Sequence, residues 1–168
     1  RHRSCPAPGV TTVTTPPPPA EPPHLTDETL GVFTRGSFAL PDGTLLHDSS
    51  YSLTRDLGGR TVTLQLATTD PAEAHRLLPR LRRAVTHHTD LHHRAVTALV
   101  HTLSDGPPTP DDLTEAHTDL LLDTIEATSP TDLTLHLSDS CGEHLLDGYW
   151  PAVRFDGEDG VVGVTIEA

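Results

Sequence analysis

A chain of 168 residues has room for one ordinary domain with a real core, because chains of about 150 residues bury roughly two-thirds of their unfolded surface. Its 24 Asp and Glu against 11 Lys and Arg, all of them Arg, leave a formal charge of −13, which argues against a sequence-independent grip on nucleic-acid phosphates. No apolar run reaches the roughly 18 residues a membrane-crossing helix needs, and two Cys far apart make neither a disulfide framework nor a Cys-based zinc site.

Residues 1–24 stand apart on composition, with Pro16 to Pro19 and then Pro22 and Pro23 following Thr and Val. Such a stretch favours polyproline II and buries too little apolar surface to order itself, so a disordered tail is expected, with one domain over 25–168. Arg1, His2 and Arg3 precede Cys5 where a lipoprotein signal would need an apolar run, and a cytoplasmic location is expected.

From residue 31 the apolar residues recur with period two, and Val32, Phe33 and Phe38 lead to a turn at Pro41-Asp42-Gly43. Tyr51–Leu57, Gly58-Gly59 and Arg60–Leu66 read as a β-hairpin, since the two glycines supply the positive φ of a tight turn. The period then lengthens. Asp70 is placed as an N-cap with Pro71 at the first helical position. At 100° per residue, Leu77, Leu81, Ala84, Val85, His88, His92, Ala95, Val96, Leu99 and Leu103 share one broad face. Pro79 is expected to end a first turn or kink the helix, so two helices over 71–86 and 89–103 compete with one bent rod.

Thr109-Pro110-Asp111-Asp112 opens a short helix that ends near Asp119. A strand from Leu122, a Ser129-Pro130-Thr131-Asp132 turn and the alternation of Leu133, Leu135 and Leu137 form a second hairpin. After an irregular stretch beyond Asp139, Tyr149–Phe155, the turn Asp156–Gly160 and Val161–Ile166 form a third. Strands, then helices, then strands predict an α+β domain of two layers, a mainly antiparallel sheet with two or three helices packed on one face.

Two groups carry reactive side chains. Asp139, Cys141, Glu143 and His144 cluster after a strand, where a thiolate beside an imidazole suits either a nucleophile or a metal, with His136 a further candidate in space. The competing account is a polar turn in which Asp139 accepts backbone N–H groups, Gly142 takes a left-handed torsion and Cys141 packs as a small hydrophobe. His88 and His92, four apart on a helix, have the spacing of a metal pair, but no Glu follows the first His. Their place within the apolar stripe suggests instead rings that cover the sheet and bond to strand-edge or loop groups, with His87 and His93 outward and Asp90–Arg94 an exposed ion pair. Asp156-Gly-Glu-Asp-Gly resembles a cation loop but is better explained by hairpin closure. Tyr149 and Trp150 offer an aromatic interaction surface, although core packing is the commoner use of a Trp. Phosphate loops, dinucleotide fingerprints and nucleophile elbows are missing, so no cofactor is expected.

Over residues 50–168 the order of features resembles the uncharacterised bacterial proteins grouped as domain of unknown function 2262. The likeness rests on the hairpin at Gly58-Gly59-Arg60, the paired helices, the Thr-Pro-Asp-Asp-Leu113 helix start and the strands at Leu122–Ile125 and Leu133–Asp139. Leu145-Leu146-Asp147-Gly148-Tyr149-Trp150-Pro151-Ala152-Val153 is similar to the family's closing Phe-x-Gly-His-x-Ile-x-Val segment, with Tyr149 where its His would align. The resemblance implies a fold and no established activity.

A negative surface without a complete catalytic template points to a non-catalytic, soluble protein-interaction domain, in one version an immunity-like binder of a basic protein partner. The alternative is a small enzyme or metal-binding protein built on the loop of Asp139, Cys141, Glu143 and His144.

Overall fold

The computed structural model describes residues 23–145 and 148–168, so the expected tail lies almost wholly outside the described residues. The chain runs β1 (His24–Asp27), β2 (Gly31–Thr34), β3 (Ser37–Ala39), β4 (Leu45–His47), β5 (Tyr51–Leu57), β6 (Arg60–Leu66), α1 (Pro71–Thr86), α2 (His88–Leu103), α3 (Pro110–Asp119), β7 (Leu120–Ala127), β8 (Leu133–Asp139), β9 (Trp150–Phe155) and β10 (Val161–Glu167). Eight strands form one sheet in the order β1-β2-β5-β6-β7-β8-β9-β10, and β3 pairs with β4 in a small separate ribbon. Every pairing in the large sheet is antiparallel except that of β6 with β7. This is the α+β architecture the alternation of periods predicts.

Alternation decides what each strand buries. Val62, Leu64 and Leu66 of β6 and Leu133, Leu135 and Leu137 of β8 are all within 1 % of full burial, while their even or odd neighbours stay partly exposed. The helices bring Leu77, Leu81, Ala84, Leu91, Ala95, Val96 and Leu99 onto that same core. Gly58 and Gly59 take φ of 65° and 85°, as the hairpin turn requires.

Three expectations shift. Pro79 neither ends nor breaks α1: it and His75, whose carbonyl loses its usual donor, lie on the exposed side, and the chain turns only at His87 (φ −107°, ψ 18°). Leu103, placed on the apolar stripe, is 51 % exposed because α2 has by then run past the sheet. Strand β7 begins at Leu120, two residues early, since the α3 helix closes on Leu120 N donating to Ala116 O and the buried Leu120 then pairs with Asp139. The N-terminal strand β1 was not legible in the apolar pattern. Its partner hairpin is set by Asp27, whose Oδ1 accepts Leu30 N at 2.8 Å and Thr29 N at 3.0 Å.

Two acidic residues dock the peripheral hairpins on α1 through arginines. Asp27, 3 % exposed, accepts Arg82 Nε at 3.0 Å, and this guanidinium holds its carboxyl below the usual range. In the β9–β10 turn, Asp159 Oδ1 lies 2.9 Å from Arg80 Nη2 and Oδ2 2.7 Å from Arg83 Nη2. Arg80 is 4 % exposed and also donates to the carbonyls of Thr131 (2.7 Å) and Asp156 (3.1 Å). The turn that resembled a cation loop therefore holds guanidinium groups.

Arg80→Ala would leave Asp159 Oδ1 and the carbonyls of Thr131 and Asp156 without this guanidinium, Arg83 still holding Oδ2, so it is expected to cost about 2–4 kcal/mol in urea unfolding. Asp90→Ala removes only the exposed Asp90–Arg94 pair (2.9 Å) and should stay within about 0.5 kcal/mol.

Candidate functional site

The β7–β8 register sets Leu120 opposite Asp139, which places the last residue of α3, Asp119, against the loop that leaves β8. Ser140 N donates to Asp119 O at 2.9 Å and ties the two segments together. The loop is then wrapped around one carboxylate. Asp139 Oδ1 accepts Cys141 N (3.2 Å), Gly142 N (3.1 Å) and the Cys141 thiol (3.2 Å), while Oδ2 accepts His144 N (2.8 Å) and Leu145 N (3.0 Å). Gly142 supplies the left-handed turn with φ 72°. Partial burial of Asp139 opposes ionisation, but the thiol and the N–H groups of His144, Leu145 and Gly142 win and bring its carboxyl from 3.8 to about 2.

The polar-turn reading of Asp139 thus describes its geometry, but Cys141 is exposed instead of packed. Opposing effects act on its thiol. A backbone hydrogen bond near Glu143 favours the thiolate, yet desolvation, the Asp139 carboxylate and the charge of Asp119 together push the thiol up. That is the reverse of an activated nucleophile. His144 Nε2 lies 3.0 Å from Asp119 Oδ2, which raises the imidazole above its ordinary value despite some desolvation. Asp119, Cys141 and His144 each offer one donor atom, all within 4.8 Å of one another. Glu143 is exposed on the same loop but outside this trio, and His136 pairs elsewhere. Sequence spacing missed Asp119, because only the strand register brings it to the loop.

Beside His144 a cleft of about 280 Å³ opens between α2 and α3, walled by Leu99, Leu103, Ala116, Leu120 and Leu145, with Glu115 on its polar side.

The second site is the sheet face opposite the helices. Gln65 is register partner to Glu126, Thr124 to His136, and Trp150 to Glu167, so these side chains share that face. His136 Nε2 lies 3.1 Å from Glu126 Oε2, Gln65 Nε2 donates to Glu126 Oε1 at 3.3 Å, and Trp150 Nε1 donates to Glu167 Oε2 at 3.2 Å. With Asp123 they line an open concavity of about 540 Å³. Trp150 is 39 % and Tyr149 48 % exposed, so neither serves the core.

His88 and His92 line a shallow cleft next to Gly58 and Leu122, and each ring is already engaged. His88 Nδ1 meets Val85 O at 2.8 Å, and His92 Nε2 meets Leu120 O at 2.7 Å. Burial lowers the affinity of His92 for a proton, against the pull of that carbonyl. His87 and His93 are exposed, and His93 stacks on His117 with ring centroids 4.1 Å apart.

Comparison of the chain with family models, curated proteins and solved structures found no match.

Because His144 binds its proton more tightly when folded, it stabilises below pH 6.5 and that contribution is lost as pH rises through its folded value. Asp139 works in the opposite sense, its contribution being complete above 3.8 and lost as pH falls through about 2. Nuclear magnetic resonance titration should place the His144 midpoint above 6.5, and Asp119→Asn should lower it. Iodoacetamide should alkylate Cys141 more slowly at neutral pH than it does an unstructured Cys peptide.

Proposed function

We propose that this chain is a non-catalytic protein-interaction domain that presents the sheet face opposite its helices to a basic protein partner. The observation that carries this reading is Trp150, exposed and bonded to Glu167 within a concavity whose other polar walls are Asp123, Glu126, His136 and Gln65. An aromatic anchor ringed by carboxylates matches what a Lys- or Arg-rich surface would bury, and a chain charge of −13 speeds the approach of such a partner. Neutralisation of a basic toxin, as an immunity-like protein does, is one form this takes, and a cytoplasmic site of action fits it. The raised thiol of Cys141 supports a non-catalytic role for the loop. Nucleic acid is not the expected partner, for want of cations, and no helix among the described residues is long and apolar enough to cross a membrane. The resemblance to domain of unknown function 2262 adds no activity to this reading.

The test is capture from the native lysate with wild-type and Trp150→Ala bait at two salt concentrations. A basic partner held by wild type should be weakened roughly 30-fold or more by Trp150→Ala, as expected for an anchor worth about 2 kcal/mol. Its association should slow with added salt, and Glu126→Gln with Glu167→Gln should reduce that salt dependence. A partner indifferent to all three substitutions would overturn the proposal.

A further inference from the structure

The end of α3 and the loop after β8 bring three donors of three kinds together: the carboxylate of Asp119, the thiol of Cys141 and the imidazole of His144. We propose that they bind a divalent transition ion of the Zn²⁺ class, leaving a fourth position open to water or a small ligand. Zinc bonds of about 2.0 Å to oxygen or nitrogen and 2.3 Å to sulfur put tetrahedral ligand atoms roughly 3.3–3.5 Å apart. His144 Nε2 and Asp119 Oδ2 are 3.0 Å apart, and Cys141 Sγ lies within 4.8 Å of both donors. A turn of an exposed Cys side chain closes the set.

The surroundings suit a cation, because the carboxylates of Asp139 and Glu115 add negative charge around the trio. The Asp139 carboxylate organises the loop through its four backbone N–H bonds, and its bond from the Cys141 thiol is given up when the thiolate turns to the metal. The bond from Ser140 N to Asp119 O fixes the helix end against that loop, so the donors from both segments are positioned before any ion arrives. The cleft beside His144 gives a ligand on the fourth position somewhere to lie. His88 and His92 provide no such set, since each ring nitrogen named above already meets a carbonyl and no thiol is near in their cleft.

Binding is balanced in protons. The thiol releases its S–H proton to solvent, the imidazole frees Nε2 while keeping a proton on Nδ1, the carboxylate gives up none, and three metal–ligand bonds form without any change of oxidation state. Affinity should therefore rise with pH.

The experiment uses the full chain without a His tag, titrated with Co²⁺ and Zn²⁺. Expected is one Co²⁺ per chain with a thiolate-to-metal charge-transfer band that Cys141→Ser abolishes and Cys5→Ser leaves intact. Asp119→Asn and His144→Gln should each weaken Zn²⁺ at least tenfold in competition with a chromophoric chelator, with circular dichroism unchanged. The wild-type band is read without any variant, so its absence alone overturns the proposal. So does a band that survives Cys141→Ser, or Zn²⁺ affinity indifferent to both other substitutions.

Discussion

The parallel pairing of β6 with β7 is the constraint from which the rest of the molecule follows. Two parallel neighbours cannot be joined by a tight turn, so the chain must leave one end of the sheet and return to the other, and here that passage is α1, α2 and α3. All the helical apolar surface is thereby spent on one side. Leu64, Ile125, Leu135 and Val153 meet the helices with no exposure, whereas Gln65, Glu126 and His136, one residue along on the same strands, are partly buried on the opposite face. The polar face is thus a consequence of connectivity as much as of composition.

A sheet this wide has outer hairpins beyond the reach of the central core, and arginines on α1 hold them. Arg82 takes Asp27 at one end of the sheet, and Arg80 with Arg83 takes Asp159 near the other. Arg94 of α2 adds a bond to Asp159 O at 3.2 Å. Guanidinium suits this work because its planar fork serves a carboxylate and several carbonyls at once, while its charge is never lost by deprotonation. An acidic turn that would otherwise repel its own neighbours becomes the docking point of the last hairpin.

The loop after β8 divides its labour between one carboxylate that shapes it and two groups that it displays. Asp139 is occupied by the Cys141 thiol and by backbone donors, which is why its carboxyl ionises so readily. Cys141 and His144 are turned toward Asp119 and solvent, in a negative environment that raises the proton affinity of both. The sheet face opposite the helices and the donor trio are separate surfaces on one scaffold.

Much of this was readable from residue order. The change of spacing from two to 3.6 and back, the capping signals at Asp70 and Thr109, and the glycine pair at 58–59 are local signals, and α1, α3 and the β5–β6 hairpin follow them closely. The bonds made by Asp139 were legible too, because a side chain reaching N–H groups a few residues ahead needs no distant partner. For Trp150 the sequence offered an interaction surface and core packing side by side: its neighbours mark a strand but not which face of it is covered, and among the described residues the helices lie over the other face. Asp119 was equally hidden, being 22 residues before Cys141 by number and joined to it only by the antiparallel register of β7 and β8. Local conformation is dictated by neighbours along the chain, so sequence determined it. Which charges and donors meet across strands depends on pairing partners and on which face the helices cover, and only tertiary structure sets those.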